Sequence, residues 1–305
     1  MTMLCTNETE MNITENKANI NWYPGHMTKA RRMVEAMLPN VDCVAELVDA
    51  RIPLSSKNPD IERIVKDKPK LLVLNKSDVA DPAMNKWWKN YFEEKGCSVL
   101  LFDSRVRSAA SFTLFENKIK EVCSEVLERR KQRGIVGKSV KIMVLGIPNV
   151  GKSTFINNLS GQKAAKAEDR PGVTRGKQWI SLRNGIDMLD MPGILWPKLE
   201  NKYAAQNLAI TGAIKDNILD LEGLAMVLLD ILKNRYVDFL RERYKLPETL
   251  PEDVYDLLNL IAAKRGFILS GGRFDTERAS IVLLDEFRAG KIGRITLDNL
   301  EKHGS

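Results

Sequence analysis

Four short apolar runs, residues 41–48, 71–74, 99–102 and 141–145, each stop at polar or glycine residues. Continuous apolar runs of that length are the form of strands buried on both faces of a parallel sheet. Between them the period changes: Phe112, Phe115, Ile119, Val122 and Val126 step by three and four, which predicts one amphipathic helix. Strands alternating with helices predict an α/β fold, a mostly parallel sheet with helices on both faces. Residues 179–182 and 186–189, separated by Arg183-Asn184-Gly185, predict a hairpin on the edge of that sheet. After about residue 197 the pattern turns helical, with helices expected over 221–232, 254–263 and 276–288 and Pro247 and Pro251 punctuating the first gap. Residues 290–300 read as a short hairpin or a loop. The division expected is a disordered leader at 1–19, an α/β domain at 20–200 and a smaller, mainly helical domain at 201–305.

Composition narrows the class. With 44% hydrophobic and 29% charged residues the chain is neither disordered nor collagen-like. No stretch approaches the roughly 18 apolar residues a spanning helix needs, and residues 224–232 are broken by Asp230. A soluble protein with no membrane partner is expected. Charge is uneven: residues 1–200 carry 32 basic and 24 acidic side chains, whereas residues 201–305 carry 15 and 16. A surplus of +8 on one part suggests a basic face for a polyanion, and a solvated surface tuned for solubility is the other reading. The four cysteines, Cys5, Cys43, Cys97 and Cys123, form no CxxC pair and read as the reduced thiols of a cytosolic protein. The first 19 residues carry neither a secretory signal nor an Arg-rich transit pattern.

The chemistry lies in three boxes. After the run at 141–145 comes Gly146-Ile147-Pro148-Asn149-Val150-Gly151-Lys152-Ser153, then Thr154, a GxxxxGK[ST] phosphate loop. Its glycines let backbone N–H groups curl round phosphate oxygens at the start of a helix. Lys152 is expected on the β- and γ-phosphates and the Ser153 hydroxyl on Mg²⁺. Asn75-Lys76-Ser77-Asp78 is an NKxD box. The Asp78 carboxylate can accept from N1–H and N2–H of guanine, a donor pair adenine lacks, while Asn75 and the Lys76 stem brace the loop and cover the base. Asp190-Met191-Pro192-Gly193 is a DxxG box, with Asp190 holding Mg²⁺ through water and the Gly193 N–H sensing the γ-phosphate. Between the last two boxes, Thr174 is the candidate switch threonine on Mg²⁺. Asp103 and Ser104 mark a loop that could offer a backbone N–H to the guanine carbonyl. The nucleotide ligands expected are thus Asn75, Lys76, Ser77, Asp78, Asp103, Ser104, Asn149 to Thr154, Thr174 and Gly193, with GTP and GDP as substrate and product.

The order of the boxes is unusual. A conventional small GTPase runs phosphate loop, switch threonine, DxxG, NKxD; here NKxD comes first and the phosphate loop second. This predicts a circularly permuted GTPase domain, its old termini joined through residues 129–139. The segments beginning Asn21-Trp22-Tyr23-Pro24-Gly25-His26, Leu47-Val48-Asp49-Ala50-Arg51-Ile52-Pro53, Asp190 to Lys198, Ala209 to Lys215 and Lys264 to Gly272 together resemble the ribosome-assembly GTPase A family, also called YlqF-like or RbgA-like. The likeness covers about residues 20–300. It implies a cytoplasmic GTPase that joins late maturation of the large ribosomal subunit.

Mechanism is less conventional than fold. The position after DxxG, where conventional members place a water-orienting Gln, is Ile194. Of the two histidines, His303 lies near the C-terminus, which leaves His26, and the resemblance also implicates it; its alternative role is a helix-start residue packed near Trp22. Asn149 in GTPases of this kind goes with a bound K⁺ near the phosphates; otherwise it is a turn-forming Asn. Lys264, Arg265 and Arg273 gather round glycines of the second domain, and with Lys29 to Arg32 and the basic stretch 129–141 they could meet rRNA phosphates. A monomer is the expected state. The competing reading is a nucleotide-sensing RNA-binding module with negligible hydrolysis.

Overall fold

The computed structural model describes residues 25–65, 68–135, 137–161, 177–195 and 201–303, with side chains from residue 28 onward. Strands β1 (Cys43–Asp49), β2 (Lys70–Asn75), β3 (Ser98–Phe102), β4 (Val140–Gly146), β5 (Gln178–Ser181) and β6 (Ile186–Asp190) form one sheet in the order β3-β2-β1-β4-β6-β5. Every neighbouring pair is parallel except β5 with β6, which is the expected edge hairpin. In β1 the side chains alternate between two packed faces. Cys43, Ala45 and Leu47 join the main core, while Val44 and Val48 enter clusters on the opposite face. This is why the run reads as continuously apolar rather than alternating.

Helices α1 (Gly25–Met37), α2 (Pro59–Ile64) and α3 (Pro82–Glu94) cover one face of the sheet. On the other face lie α4 (Ala109–Val122), α5 (Ser124–Gln132) and α6 (Lys152–Ser160). The single amphipathic helix expected across 112–126 is two pieces that meet at Cys123, whose ψ of 9° breaks the regular ladder. The Cys123 thiol turns inward beside the Cys43 thiol, and both are buried, free thiols.

The rest of the chain is helical: α7 (Lys202–Ile210), α8 (Leu221–Arg235), α9 (Val237–Tyr244), α10 (Val254–Arg265) and α11 (Thr276–Arg288). The starts are set by side chains: Asp220, Asp253 and Asp275 each accept from backbone N–H groups of the first turn. Gly266, at φ 68°, ends α10 in the left-handed conformation. The 290–300 segment is a loop, and it runs back onto the sheet: Ile295 N donates to Val79 O (3.0 Å) and Leu297 N to Arg51 O (2.7 Å). Ile295, Leu297 and Asp298 are fully buried there, and Asp298 accepts from Leu54 N, Ser55 N and Asn207 Nδ2 at 2.7, 2.9 and 2.9 Å. Among the described residues, no helix is long and apolar enough to cross a membrane.

Candidate functional site

Sheet register brings the boxes together. Asp49 pairs with Asn75, Asn75 with Phe102, Leu47 with Gly146 and Val144 with Asp190, so the carboxyl ends of the parallel strands form one edge. In an open α/β sheet that edge is where ligands bind. After β4 the chain turns through left-handed Asn149 (φ 57°) and Gly151 (φ 95°) before Lys152 opens α6. A Cβ on Gly151 would sit 2.6 Å from Asn75 Nδ2, so the second glycine of the loop is required by the base-reading loop packed against it.

Lys152 is buried, and its Nζ donates to Gly146 O (3.2 Å) and Ile147 O (3.0 Å). Burial lowers its pKa to about 8, partly opposed by the nearby Asp190 charge. Burial likewise raises the Asp190 carboxyl above its ordinary value, against the pull of Lys152. Asp190 Oδ1 is buried with no hydrogen-bond partner among the described residues. Beyond it, the DxxG segment lies directly on the phosphate loop. A Cβ on Gly193 would be 2.9 Å from Pro148 Cα and 3.2 Å from Lys152 Nζ, and Ile194 N donates to Gly146 O at 3.2 Å. The Ile194 side chain is buried beside Ala30 and Val34 of α1, and Asn58 Nδ2 holds its carbonyl at 2.9 Å.

The NKxD loop is braced as the residue types predict. Asn75 Nδ2 donates to Val150 O (2.8 Å) while its Oδ1 accepts from Ser104 Oγ (2.6 Å). Lys76, left-handed at φ 60°, donates from Nζ to Asn149 O at 2.7 Å. Ser77 N donates to Phe102 O at 3.3 Å. Asp78 Oδ2 pairs with Arg105 (2.7 Å), and Oδ1 has no partner among the described residues. Burial raises this carboxyl and Arg105 pulls it back. The Asp103 side chain caps Arg105 N (2.8 Å), which shapes the 103–105 turn. Ser153 is half-buried at the start of α6 and Thr154 is exposed beside it.

Asn149 does something the sequence did not suggest: its Nδ2 donates to Gly212 O (2.6 Å), just after α7. At this seam a cavity of about 430 Å³ is lined by Arg51, Lys76, Asn149, Gly212, Lys215 and Arg288. Further residues missed in the sequence are Asn58, and Asn158 of α6, whose Nδ2 donates to Ser104 O (3.0 Å) and Val106 O (2.9 Å). A buried Asn on the helix after a phosphate loop is the only signal that could have marked the latter. Of the basic residues expected to face RNA, Arg265 is committed to Glu286 (2.9 Å) and Arg130 to Asp42 at 2.5 Å. Thr174 and the side chain of His26 lie outside the described residues, although His26 itself falls in the first turn of α1.

Residues 141–251 match a family described as 50S ribosome-binding GTPase. Ribosome biogenesis GTPase A of Priestia megaterium is 43% identical over 281 residues, covering 92% of this chain and 96% of that protein. Mitochondrial ribosome-associated GTPase 1 of Mus musculus is 33% identical over 299 residues, 91% of this chain and 89% of that one. Among solved structures, GDP-bound YlqF of Thermotoga maritima is 25% identical with a TM-score of 0.64, over 88% of this chain and 100% of that chain. The GNP-bound form of the same protein scores 0.62 at 25% identity, over 89% and 98%. At 43% identity over nearly the full length of the Priestia protein, the chain belongs to the ribosome biogenesis GTPase A family.

Proposed function

We propose that this GTPase acts in late maturation of the large ribosomal subunit, in the cytoplasm and as a monomer, and that its γ-phosphate state sets its affinity for rRNA. The observation that carries the reading is the position of the DxxG segment. Gly193 and Ile194 are pinned between the phosphate loop and Asn58, and the chain passes from there within a few residues into α7, whose following loop bonds Asn149. A γ-phosphate that draws the Gly193 N–H toward itself therefore shifts a segment that leads on into α7, whose far end is tied to the phosphate loop through Asn149. Such a device is what a factor released by hydrolysis requires.

The side chains divide the work. Lys152, its charge destabilised by burial, gains the anionic partner it lacks when the phosphates enter beside it. Asn75 and Lys76 hold the base-reading loop to the phosphate loop, and Asp78 offers Oδ1 to guanine. The residues fit Mg²⁺, since Ser153 lies in the first turn of α6 and Asp190 carries a buried oxygen without a partner among the described residues; an ion held there would neutralise phosphate charge. Thr174 is assigned to the same ion. Asn149 is assigned to K⁺, with Oδ1 as the ligating atom because Nδ2 is committed to Gly212. His26 is assigned to orient the attacking water. Ile194 is buried and apolar, and position 26 lies one helical turn before Ala30, which packs with Ile194. Contacts to rRNA fall to Lys29 to Arg32, to the stretch 129–141 apart from Arg130, and to Lys264 and Arg273, which are exposed.

The buried Ile194 also favours the second reading, a nucleotide sensor with negligible turnover. Multiple-turnover phosphate release separates the two. Purified large subunits should raise the rate by about an order of magnitude or more, as completing a catalytic constellation does, and exchanging K⁺ for Na⁺ should lower it. A rate unmoved by subunits would favour the sensor; one indifferent to the cation would dismiss K⁺.

A further inference from the structure

Beneath the base-reading loop lies an ion-paired group that no step above uses. Asp49 ends β1, and both it and Arg51 are buried, at 2% and 1% exposed. Arg51 grips Asp49 with two parallel bonds, Nε to Oδ1 at 2.9 Å and Nη2 to Oδ2 at 2.7 Å. The same Oδ2 is 3.1 Å from Lys76 Nζ, the ammonium that donates to Asn149 O. Although burial alone would raise it, Arg51 and Lys76 hold the Asp49 carboxyl well below the usual carboxylate range. One anion thus fixes two cations at once.

The far side of Arg51 belongs to the helical part. Its Nη1 donates to Arg288 O (3.3 Å), its guanidinium lies 5.2 Å from the Phe287 ring centroid, and its carbonyl accepts from Leu297 N at 2.7 Å. An unbroken run of contacts therefore leads from the phosphate-loop carbonyl of Asn149, through Lys76, Asp49 and Arg51, to the end of α11. Without Asp49 the two cations would repel each other, and Lys76 would leave the phosphate loop for water. We propose that Asp49 is the positioning residue for Lys76, and that Arg51 is the joint through which the seating of α11 sets how tightly guanine nucleotide is held. The proposal rests on Lys76 covering the base, and it adds a route by which partner binding to the helical part would change nucleotide release.

The test is the dissociation rate of N-methylanthraniloyl-GDP. Asp49→Asn should speed release about tenfold or more, because Lys76 then loses the anion that holds it against the phosphate loop. In a Lys76→Met background, Asp49→Asn should add nothing, because the two residues act through one contact. Equal acceleration in both backgrounds would mean general loosening and would overturn the positioning role. Since Asp49→Asn leaves Arg51 buried without a counter-charge, Phe287→Leu supplies a milder probe that should also speed release. Leu258→Ala, equally buried but in α10, should lower Tm without that effect. If Phe287→Leu leaves release unchanged, or Leu258→Ala speeds it as much, Arg51 is no joint. Lys152→Ala in the same assay keeps the underlying reading separate: retained GDP binding there would refute the nucleotide site itself.

Discussion

Asp78→Asn is expected to weaken GTP binding by about a hundredfold or more and to turn the preference toward xanthosine triphosphate. A site built to pair with a donor discriminates steeply against a ligand that leaves its polar group unpaired. Asp78 is such a group: its Oδ1 is buried and free of partners among the described residues, while Oδ2 is taken by Arg105. The amide of Asn would set an N–H against the N–H of guanine, whereas xanthine presents an oxygen at that position. Arg105 is more than half exposed, so its pairing with Asp78 contributes little to the loop and does not blunt the switch. Competition of both triphosphates against labelled GDP measures the effect. Undiminished GTP affinity in the variant would show that Asp78 is not the reader.

The second large effect concerns turnover. His26→Ala should slow hydrolysis by about a hundredfold or more, the worth of a positioned proton-transfer or water-orienting group, with GTP affinity within a few-fold of the parent. Ile194, apolar, cannot orient water. Its side chain fills a core position between α1 and α2, so the place that a Gln occupies in conventional members is structural here. The water must then be oriented from elsewhere, and α1 begins beside that segment. Loss of a contact made only in the transition state lowers kcat and kcat/KM together. An equal loss of binding would instead assign His26 to packing at the helix start.

Much of this was legible in the chain. The four apolar runs and the edge hairpin are the strands, and the order of boxes gives the permuted connectivity that the β1–β4 pairing closes. The helix over 276–288 agrees to the residue. Less legible was anything decided by contacts distant in sequence. The break at Cys123 is a local backbone turn at a residue buried in the core, and period alone runs straight through it. Residues 290–300 carry no strong local preference, so their course along Val79 and Arg51 is set by the surface they meet. Asp49, Arg51, Asn58 and Asn158 are ordinary polar residues in the sequence; their roles appear only when the carboxyl ends of the strands are side by side. In the sequence Asn149 reads as a cation ligand, and the structure adds a bond to Gly212 that ties the phosphate loop to the helical part.

That tie bears on the central claim, that nucleotide state governs attachment to the large subunit. Co-sedimentation with purified large subunits, under GDP, a non-hydrolysable GTP analogue and no nucleotide, tests it most directly. Run at two salt concentrations, it also reports the electrostatic share, since binding to rRNA releases counterions and weakens steeply with salt. The account predicts pelleting that is strongest with the analogue, weaker with GDP and reduced at higher salt. Equal pelleting in all three nucleotide states would contradict it.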